Sequence, residues 1–387
     1  MISLARGKLD EEEDDHRASS ISIKAPFPKQ SRIVNNNNDK VNGDIHSKIE
    51  LSGDAVDDEK ELSEGIQRSC CVEEGEDVNE VYSKSKIGRR KFDGSSVDPW
   101  KFNAWDDVEW DEDLERNALE IVKRQIQSPV PQEIKLKFNE NPKSFWDSFY
   151  EVRRDTFFKN RSWLMNEFRA LDESIKPKAG KVKIVELGCG PGNTAFPILS
   201  SNQNPELFLY ALDYSSKAID LLKNNPLYDP SKVLGLVWDM STSDGIPSEI
   251  EAGSIDIVLM IFCFSALQPS DWSKAIRNVS GMLKPGGVLL FRDYGRHDLT
   301  QLRMKGSRFM EDNLYIRGDG TRVYFFDRDE LIRIFCEEEE EEDDDDDDDD
   351  GKRKSSGLEV VDLKVDRRLL LNRARKLKMY RVWLQVE

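Results

Sequence analysis

The sequence predicts an α/β fold, with a mostly parallel sheet covered by helices on both faces. Three observations predict it. Between residues 182 and 336, short apolar runs alternate with stretches of helical period, the trace that successive βαβ units leave. The first run, Val182 to Leu187, ends in the glycine-dense turn Gly188-Cys189-Gly190-Pro191-Gly192-Asn193. A buried strand does this when it enters a helix N-terminus beside a ligand. The chain of 387 residues is also long enough to bury a sizeable core in one or two domains.

The elements follow in order. Residues 1–95 are polar, with asparagine at all four positions 35–38 and no sustained periodicity, and are expected to be disordered. Order is expected from Asp98-Pro99-Trp100. The segment from Trp105 to Trp110 then interleaves aromatics with acids. An amphipathic helix is expected over 111–128, stopped by Pro129. A second helical region, 141–171, is dense in aromatics, among them Phe145, Trp146, Phe149 and Tyr150.

Strands are expected at 182–187, 207–212, 233–238, 255–262 and 287–292, and helices at 192–200, 215–224, 271–283 and 327–336. Leu283-Lys284-Pro285-Gly286-Gly287 reads as a helix stop and turn before the fifth strand. Right-handed crossovers leave few topologies for such a series. Two further strand-like segments, 358–366 and 377–386, suit a closing hairpin at the sheet edge. Between them and the last helix lies an unbroken run of 14 acids, Glu337 to Asp350, and 337–356 is expected to be a disordered insertion.

Charge is unevenly spread. The formal net charge is −18, yet residues 1–100 carry −7, 101–131 carry −4 and the acidic run −14, which leaves +7 on the rest. The expected folded part is therefore mildly basic. The last 37 residues alone hold 11 basic and 4 acidic side chains. Five cysteines (70, 71, 189, 263 and 336) show no disulfide-framework spacing, and with three histidines they make no zinc pattern, so no metal is expected. A reducing compartment suits such thiols. No apolar run approaches the roughly 18–20 residues of a membrane span. The N-terminus lacks an apolar signal core and is too acidic for a transit peptide. A cytoplasmic location is expected, with Lys352-Arg353-Lys354 as a minimal signal for a nuclear pool.

In open parallel sheets ligands bind outside the carboxyl ends of the strands, so the residues ending each strand carry the chemistry. Glu186 stands two residues before Gly188 and opens the pattern E-x-G-x-G-x-G, unlike the G-x-G-x-x-G of dinucleotide folds. Gly188, Gly190 and Gly192 are expected to leave room for a ligand at the backbone. Asp213, at the second strand end, can accept both hydroxyls of a ribose or instead cap the next helix, a task for which Ser215 and Ser216 compete. Asp239 can accept an adenine amino group, with Met240 over the ring, or be an ordinary loop acid. Ile261 opens the apolar stretch to Leu267, which is either a pocket wall or core. Arg292-Asp293-Tyr294-Gly295-Arg296 is a polar cluster at the fifth strand end.

The glycine turn resembles the cofactor loop of S-adenosylmethionine-dependent class I methyltransferases. More specific are FYEVRRDTFFKNRSWL (149–164), RDYGRHD (292–298), LYIRGDGTRVYFF (314–326), DRRLLLNR (366–373) and KMYRVWLQ (378–385). In this order, from about residue 97 to 387, they resemble the family that forms 3-methylcytidine in transfer RNA anticodon loops. FNAWDDVEW (102–110) is similar to the extra N-terminal element of one branch. The resemblance implies a seven-stranded, Rossmann-like class I fold, mostly parallel and ending in an antiparallel hairpin. It implies a domain over 173–387 and a helical cap over 96–172 that helps bind cofactor and RNA.

It also implies S-adenosylmethionine as cofactor and tRNA as substrate, with no DNA and no membrane. An aminoacyl-tRNA synthetase or tRNA-binding adaptor is an expected type of protein partner. Trp146 and Tyr150, one helical turn apart, match positions that cover the cofactor. Glu186, the three glycines, Asp213, Asp239, Met240 and Ile261 complete that pocket. Asp293 and Tyr294 are candidates to orient the base or to stabilise developing charge.

RNA recognition needs basic and aromatic contacts. Arg153, Phe157, Phe158, Lys159 and Arg161 supply one group, Arg292, Arg317 and Arg322 a second, and Arg367, Arg368, Arg373 and Arg381 a third. The acidic run departs from the family, which has a short connection there. It is either a tolerated loop insertion or a competitor with RNA for the basic surface. Two other functions stay open: methylation of a protein or small molecule on the same scaffold, and a non-catalytic RNA-binding subunit with the same fold.

Overall fold

A computed structural model describes residues 90–92, 98–337 and 356–387. The expected disorder of 1–95 falls almost wholly outside those residues, as does the acidic insertion apart from its ends. In chain order the elements are β1 (Ala104–Trp105), α1 (Glu112–Ile126), α2 (Gln132–Glu140), α3 (Pro142–Arg153), α4 (Leu164–Glu167), α5 (Arg169–Ser174), β2 (Val182–Leu187), α6 (Ala195–Ser201), β3 (Leu207–Asp213), α7 (Ser216–Lys223) and β4 (Val233–Val237). There follow β5 (Ile255–Ile261), α8 (Trp272–Met282), β6 (Leu283–Tyr294), α9 (Leu299–Arg303), β7 (Phe309–Glu311), β8 (Leu314–Ile316), β9 (Arg322–Tyr324), α10 (Arg328–Cys336), β10 (Leu363–Asn372) and β11 (Leu377–Val386).

The main sheet has the order β1-β10-β11-β6-β5-β2-β3-β4. From β6 to β4 neighbouring strands are parallel, while β11, β10 and β1 add antiparallel pairs. This is the expected class of sheet with one strand more than the expected seven. The extra strand is the two-residue β1, where Ala104 faces Leu370 and Trp105 faces Leu369. It lies over the edge of β10, where bare backbone groups would otherwise face solvent. Trp105 is buried and its Nε1 donates to the Pro99 carbonyl at 2.7 Å. The stretch before residue 173 thus contributes to the sheet itself as well as to helices.

Period-2 burial assigns each strand face. Ile184 packs on one side of β2, Val185 and Leu187 on the other; Ile257, Leu259 and Ile261 alternate with Val258 and Met260 on β5. Helix α8 covers one face through Ala275, Ile276 and Val279, while α5 and α6 cover the other through Leu171, Phe196 and Ile198. Each fully buried side chain of this kind contributes about 1.5–3 kcal/mol. The helix ends follow local rules. Asp111 caps α1 by accepting from the Leu114 amide at 2.8 Å, and Asp327 with Glu330 forms a capping box on α10.

Four expectations change. The helical region 141–171 is broken: Arg154 has φ +51°, and the chain runs irregularly to α4. Strand β10 starts at Leu363, not 358, because it pairs with all ten residues of β11, from Leu363↔Val386 to Asn372↔Leu377. Strand β6 begins at Leu283, inside the expected turn. Strands β7, β8 and β9 form a second, antiparallel sheet that was not expected.

Candidate functional site

The turn after β2 is held by its neighbours. Gly188 has φ +62°, and a Cβ there would lie 2.4 Å from that of Cys263. At Gly190, φ +53°, a Cβ would lie 2.9 Å from the Tyr150 hydroxyl. Both glycines are therefore needed by the protein's own packing, a reason the sequence had assigned to a ligand. Gly192 likewise sits against Phe196 and Leu222.

Asp213 fastens this turn to the end of β3. Its Oδ2 accepts from the Gly190 amide at 2.9 Å and its Oδ1 from the Ser215 amide at 2.9 Å. The cap of α7 is Ser215, whose hydroxyl accepts from the Ala218 amide, so Asp213 is not the helix cap. The Ser215 hydroxyl also donates to Asp147 Oδ1 at 2.6 Å, which ties α3 to α7. Burial raises the Asp213 carboxyl to about 6.

One pocket opens at these strand ends. It is lined by Gly188, Gly190 and Asp213, by Asp239 and Met240 after β4, and by Trp146 and Tyr150 from α3. The Trp146 and Tyr150 rings stack at 6.0 Å and 29°. Asp239 accepts from the Ser241 amide and hydroxyl at 2.9 and 2.7 Å. Seven of the ten expected cofactor residues line this pocket, and Glu186, Gly192 and Ile261 do not. Ile261 is 1% exposed and belongs to the core. Phe262 and Cys263, next in the chain, line the pocket in its place.

Glu186 is 1% exposed, and neither of its carboxylate oxygens makes a hydrogen bond of good geometry, although the Thr194 hydroxyl and the Ala195 amide lie near enough to act on it. Burial pushes its carboxyl up to about 8, against the pull of the Arg161 guanidinium, the Thr194 hydroxyl and the Ala195 amide. A buried, poorly paired carboxylate two residues before the turn calls for a cationic or hydrogen-bonding ligand group.

Arg161 and Arg322 were expected on an RNA surface, and both line the pocket. Arg161 reaches the turn twice: its amide donates to the Asn193 carbonyl at 2.8 Å and its Nη1 to the Thr194 hydroxyl at 3.1 Å. Asn193 Nδ2 donates to the Phe158 carbonyl at 3.1 Å, so the irregular 154–163 segment is laced to the turn, and Phe158 also lines the pocket. Arg322 is 4% exposed; its Nε donates to the Ala266 carbonyl at 3.2 Å. Asn139, from α2, and Tyr214 line the pocket as well. Neither carried a sequence signal, since each stands alone in a polar or mixed context.

Other expected RNA contacts are turned inward by ion pairs and ring packing. Arg292 is 1% exposed, pairs with Asp366 and Glu167, donates to Gln385 and lies between the Trp163 and Trp383 rings at 5.0 and 4.8 Å. Arg368 pairs with Glu167 at 2.6 Å and Asp366 at 2.9 Å. Arg381, 2% exposed, donates to Asp298 at 2.9 Å. Phe157 packs on Phe149 in a buried aromatic cluster. Arg292, Arg381 and Phe157 belong to the fold's interior, and Arg368 is half-buried. Arg153, Lys159, Arg317 and Arg367 are half-buried and Arg373 is exposed.

Asp293 is fully buried, accepts from the Ser265 and Tyr294 amides at 2.9 and 2.8 Å, and is raised to about 6 by burial. It does not line the pocket. It sets the backbone between the ends of β5 and β6, a positioning role in place of the expected direct one. Tyr294 is half-buried, also outside the lining, with its ring 5.0 Å from that of Phe262.

A family model for a methyltransferase domain matches residues 185–289, from inside β2 to inside β6. Over 290 residues the chain is 45% identical to the tRNA N(3)-methylcytidine methyltransferase trm140 of Schizosaccharomyces pombe, a match covering 75% of this chain and 87% of that one. The chain belongs to the tRNA N3-cytidine methyltransferase family. Within this family it is 41% identical over 316 residues to METTL2 of Danio rerio, covering 74% of this chain and 84% of that one. It is 44% identical over 301 residues to the tRNA(Thr) (cytosine(32)-N(3))-methyltransferase of Saccharomyces cerevisiae. That match covers 78% of this chain and 45% of the longer relative.

The family's methyl donor is S-adenosylmethionine, and the pocket fits it on its own features. In the lining Arg161 suits a carboxylate and the acids ending β3 and β4 suit hydroxyl and amino donors, while the buried Glu186, two residues before the turn, suits an ammonium group.

Proposed function

We propose that this protein is an S-adenosylmethionine-dependent tRNA methyltransferase that forms 3-methylcytidine at an unpaired cytosine of the anticodon loop. The observation that carries the reading is one pocket lined by the glycine turn, the Arg161 cation and two strand-end carboxylates, with the buried Glu186 two residues before that turn, in a chain of this family. Glu186 and Arg161 hold the amino-acid end of the donor. Asp213 holds the ribose, Asp239 and Met240 the adenine, and Trp146 with Tyr150 covers them.

When bound, the donor supplies a methyl group on sulfonium: the cytosine N3 lone pair forms the N–C bond as the C–S pair returns to sulfur. The neutral base attacks without first losing a proton. No side chain is needed as a base for that step, so positioning and electrostatics supply most of the rate. Positive charge passes to the base and stays there until an amino proton leaves. N3 lies on the pairing edge, so the cytosine must be unpaired or drawn out of a stack.

Exposed cations contact the phosphates. Arg373 and the neighbouring Lys376 and Lys378, at the tip of the β10–β11 hairpin, suit that role. A stem-loop of anticodon-arm sequence tests the reading. Methyl transfer is expected to its loop cytosine and lost when a complementary oligonucleotide pairs that base; equal transfer to the paired form contradicts it. If the protein binds S-adenosylhomocysteine but transfers nothing, repeating the assay with an aminoacyl-tRNA synthetase or a tRNA-binding adaptor tests whether a second protein presents the RNA.

A further inference from the structure

Phe262 is the first residue beyond β5 and has φ +54°. A bulky non-glycine side chain rarely adopts this left-handed conformation, which costs free energy unless its surroundings impose it. Here they do: the Phe262 amide donates to the Arg292 carbonyl at 2.8 Å, which locks the backbone at the junction of β5 and β6. The turn takes Phe262 out of the alternation that buries Ile261, and its half-buried ring lines the pocket. Such strain, kept at a ligand-facing position, points to a function for the ring.

The sheet order says which ligand. The strand ends that hold ribose and adenine belong to β3 and β4, on one side of the glycine turn. Phe262 stands on the other side, at β5, next to β6. A donor stretched from β2 towards β4 leaves only the β5–β6 side for an acceptor. That side carries rings: Phe262 and Tyr294 lie 5.0 Å apart at 51°, and Trp383 meets Phe262 edge-on at 6.1 Å. Cations flank the pair, with Arg161 5.8 Å from the Phe262 centroid and Arg317 5.7 Å from that of Tyr294.

We propose that Phe262 is the stacking seat of the acceptor base, holding the cytosine plane against its ring on the β5–β6 side of the pocket, with Tyr294 supporting the ring from behind. The seat rests on the tRNA cytosine reading above. Stacking on aromatic side chains is how proteins hold unpaired bases. This arrangement also favours the reaction, because an aromatic face attracts the positive charge that the base acquires.

The test uses the full chain, after wild-type protein has been shown to form 3-methylcytidine; failure of that step counts against the function and not the seat. Phe262→Leu keeps apolar bulk and removes the ring face, and Phe262→Tyr keeps the face. Phe262→Leu is expected to lower kcat/KM for tRNA about 10- to 100-fold while the S-adenosylhomocysteine Kd stays within about 3-fold, and Phe262→Tyr stays near wild type. Unchanged kcat/KM in Phe262→Leu, or a loss of S-adenosylhomocysteine affinity as large as the loss of turnover, overturns the proposal. A second readout uses the wild-type protein. A stem-loop carrying pyrrolocytosine at the target position is expected to be quenched on binding, and undiminished fluorescence in the saturated complex overturns the seat.

Discussion

Arg161 Nη1 lies 3.1 Å from Thr194 Oγ1, and its guanidinium acts on the buried Glu186 carboxylate, two residues before the turn that lines the pocket. The pair joins the irregular segment after α3 to the glycine turn. It places a residue expected to meet RNA in the wall of the pocket. The consequences below follow from that placement and from the buried groups around it.

Arg161→Gln should weaken S-adenosylhomocysteine binding about 10- to 100-fold, the scale of losing one hydrogen bond to a charged group. Its effect on tRNA affinity should be much smaller. Calorimetric titration with each ligand checks the ratio. A larger loss for tRNA would return Arg161 to the RNA surface.

Glu186 and Asp213 make the protein without ligand sensitive to pH. Their folded-state values, about 8 and about 6, lie above their ordinary values of 4.5 and 3.8. The folded state therefore binds more protons. The stability these groups contribute is full below about pH 4 and is lost as pH rises through about 6 and then about 8. Urea unfolding should show lower stability at about pH 8.5 than at about pH 5.5, with a smaller drop in Glu186→Gln. An ammonium group prefers the carboxylate form, so S-adenosylhomocysteine binding near pH 7 should release protons. That release, read by calorimetry in buffers of different ionisation heat, should fall in Glu186→Gln.

Gly320 fixes how α3 sits beside the pocket. With φ +86°, it leaves no space for a Cβ, which would lie 2.3 Å from the Phe145 ring, next to the pocket residue Trp146. The turn from Arg317 to Arg322 thus supports α3. Gly320→Ala should cost about 1–3 kcal/mol of stability and weaken S-adenosylhomocysteine binding several-fold. Thermal unfolding with and without ligand separates the two effects.

Two arginines from one strand-rich region should behave oppositely. Arg292→Ala leaves Asp366 and Glu167 short of a buried partner and should destabilise the fold by about 3–5 kcal/mol. Arg373→Ala should leave stability within about 0.5 kcal/mol, weaken tRNA binding and reduce its salt slope by about one. Denaturant unfolding and salt-titrated binding measure these.

The parallel core was legible because five short apolar runs alternate with helical stretches and end in turn or polar residues, and strand ends are where ligands sit. Asp213 and Asp239 were found on that rule. Charges were less legible. Arg292, Arg368 and Arg381 read as a basic surface because no local pattern shows that all three gather against the Trp383 ring. Ile261 was expected in the pocket from the family resemblance; Phe262 lines it instead because a positive φ, which no local pattern shows, takes it out of the strand's alternation. Strands β7 to β9, three residues each, are too short to show a period, and β10 took its length from β11 rather than from its own pattern.

The most direct measurement is mass spectrometry of nucleosides from tRNA lacking 3-methylcytidine, incubated with the purified protein and S-adenosylmethionine carrying a deuterated methyl group. Deuterated 3-methylcytidine, confined to fragments from the anticodon loop, is the predicted result. Label on another nucleoside, or no label from protein that binds S-adenosylhomocysteine and has been supplied with a synthetase or tRNA-binding adaptor, would contradict it.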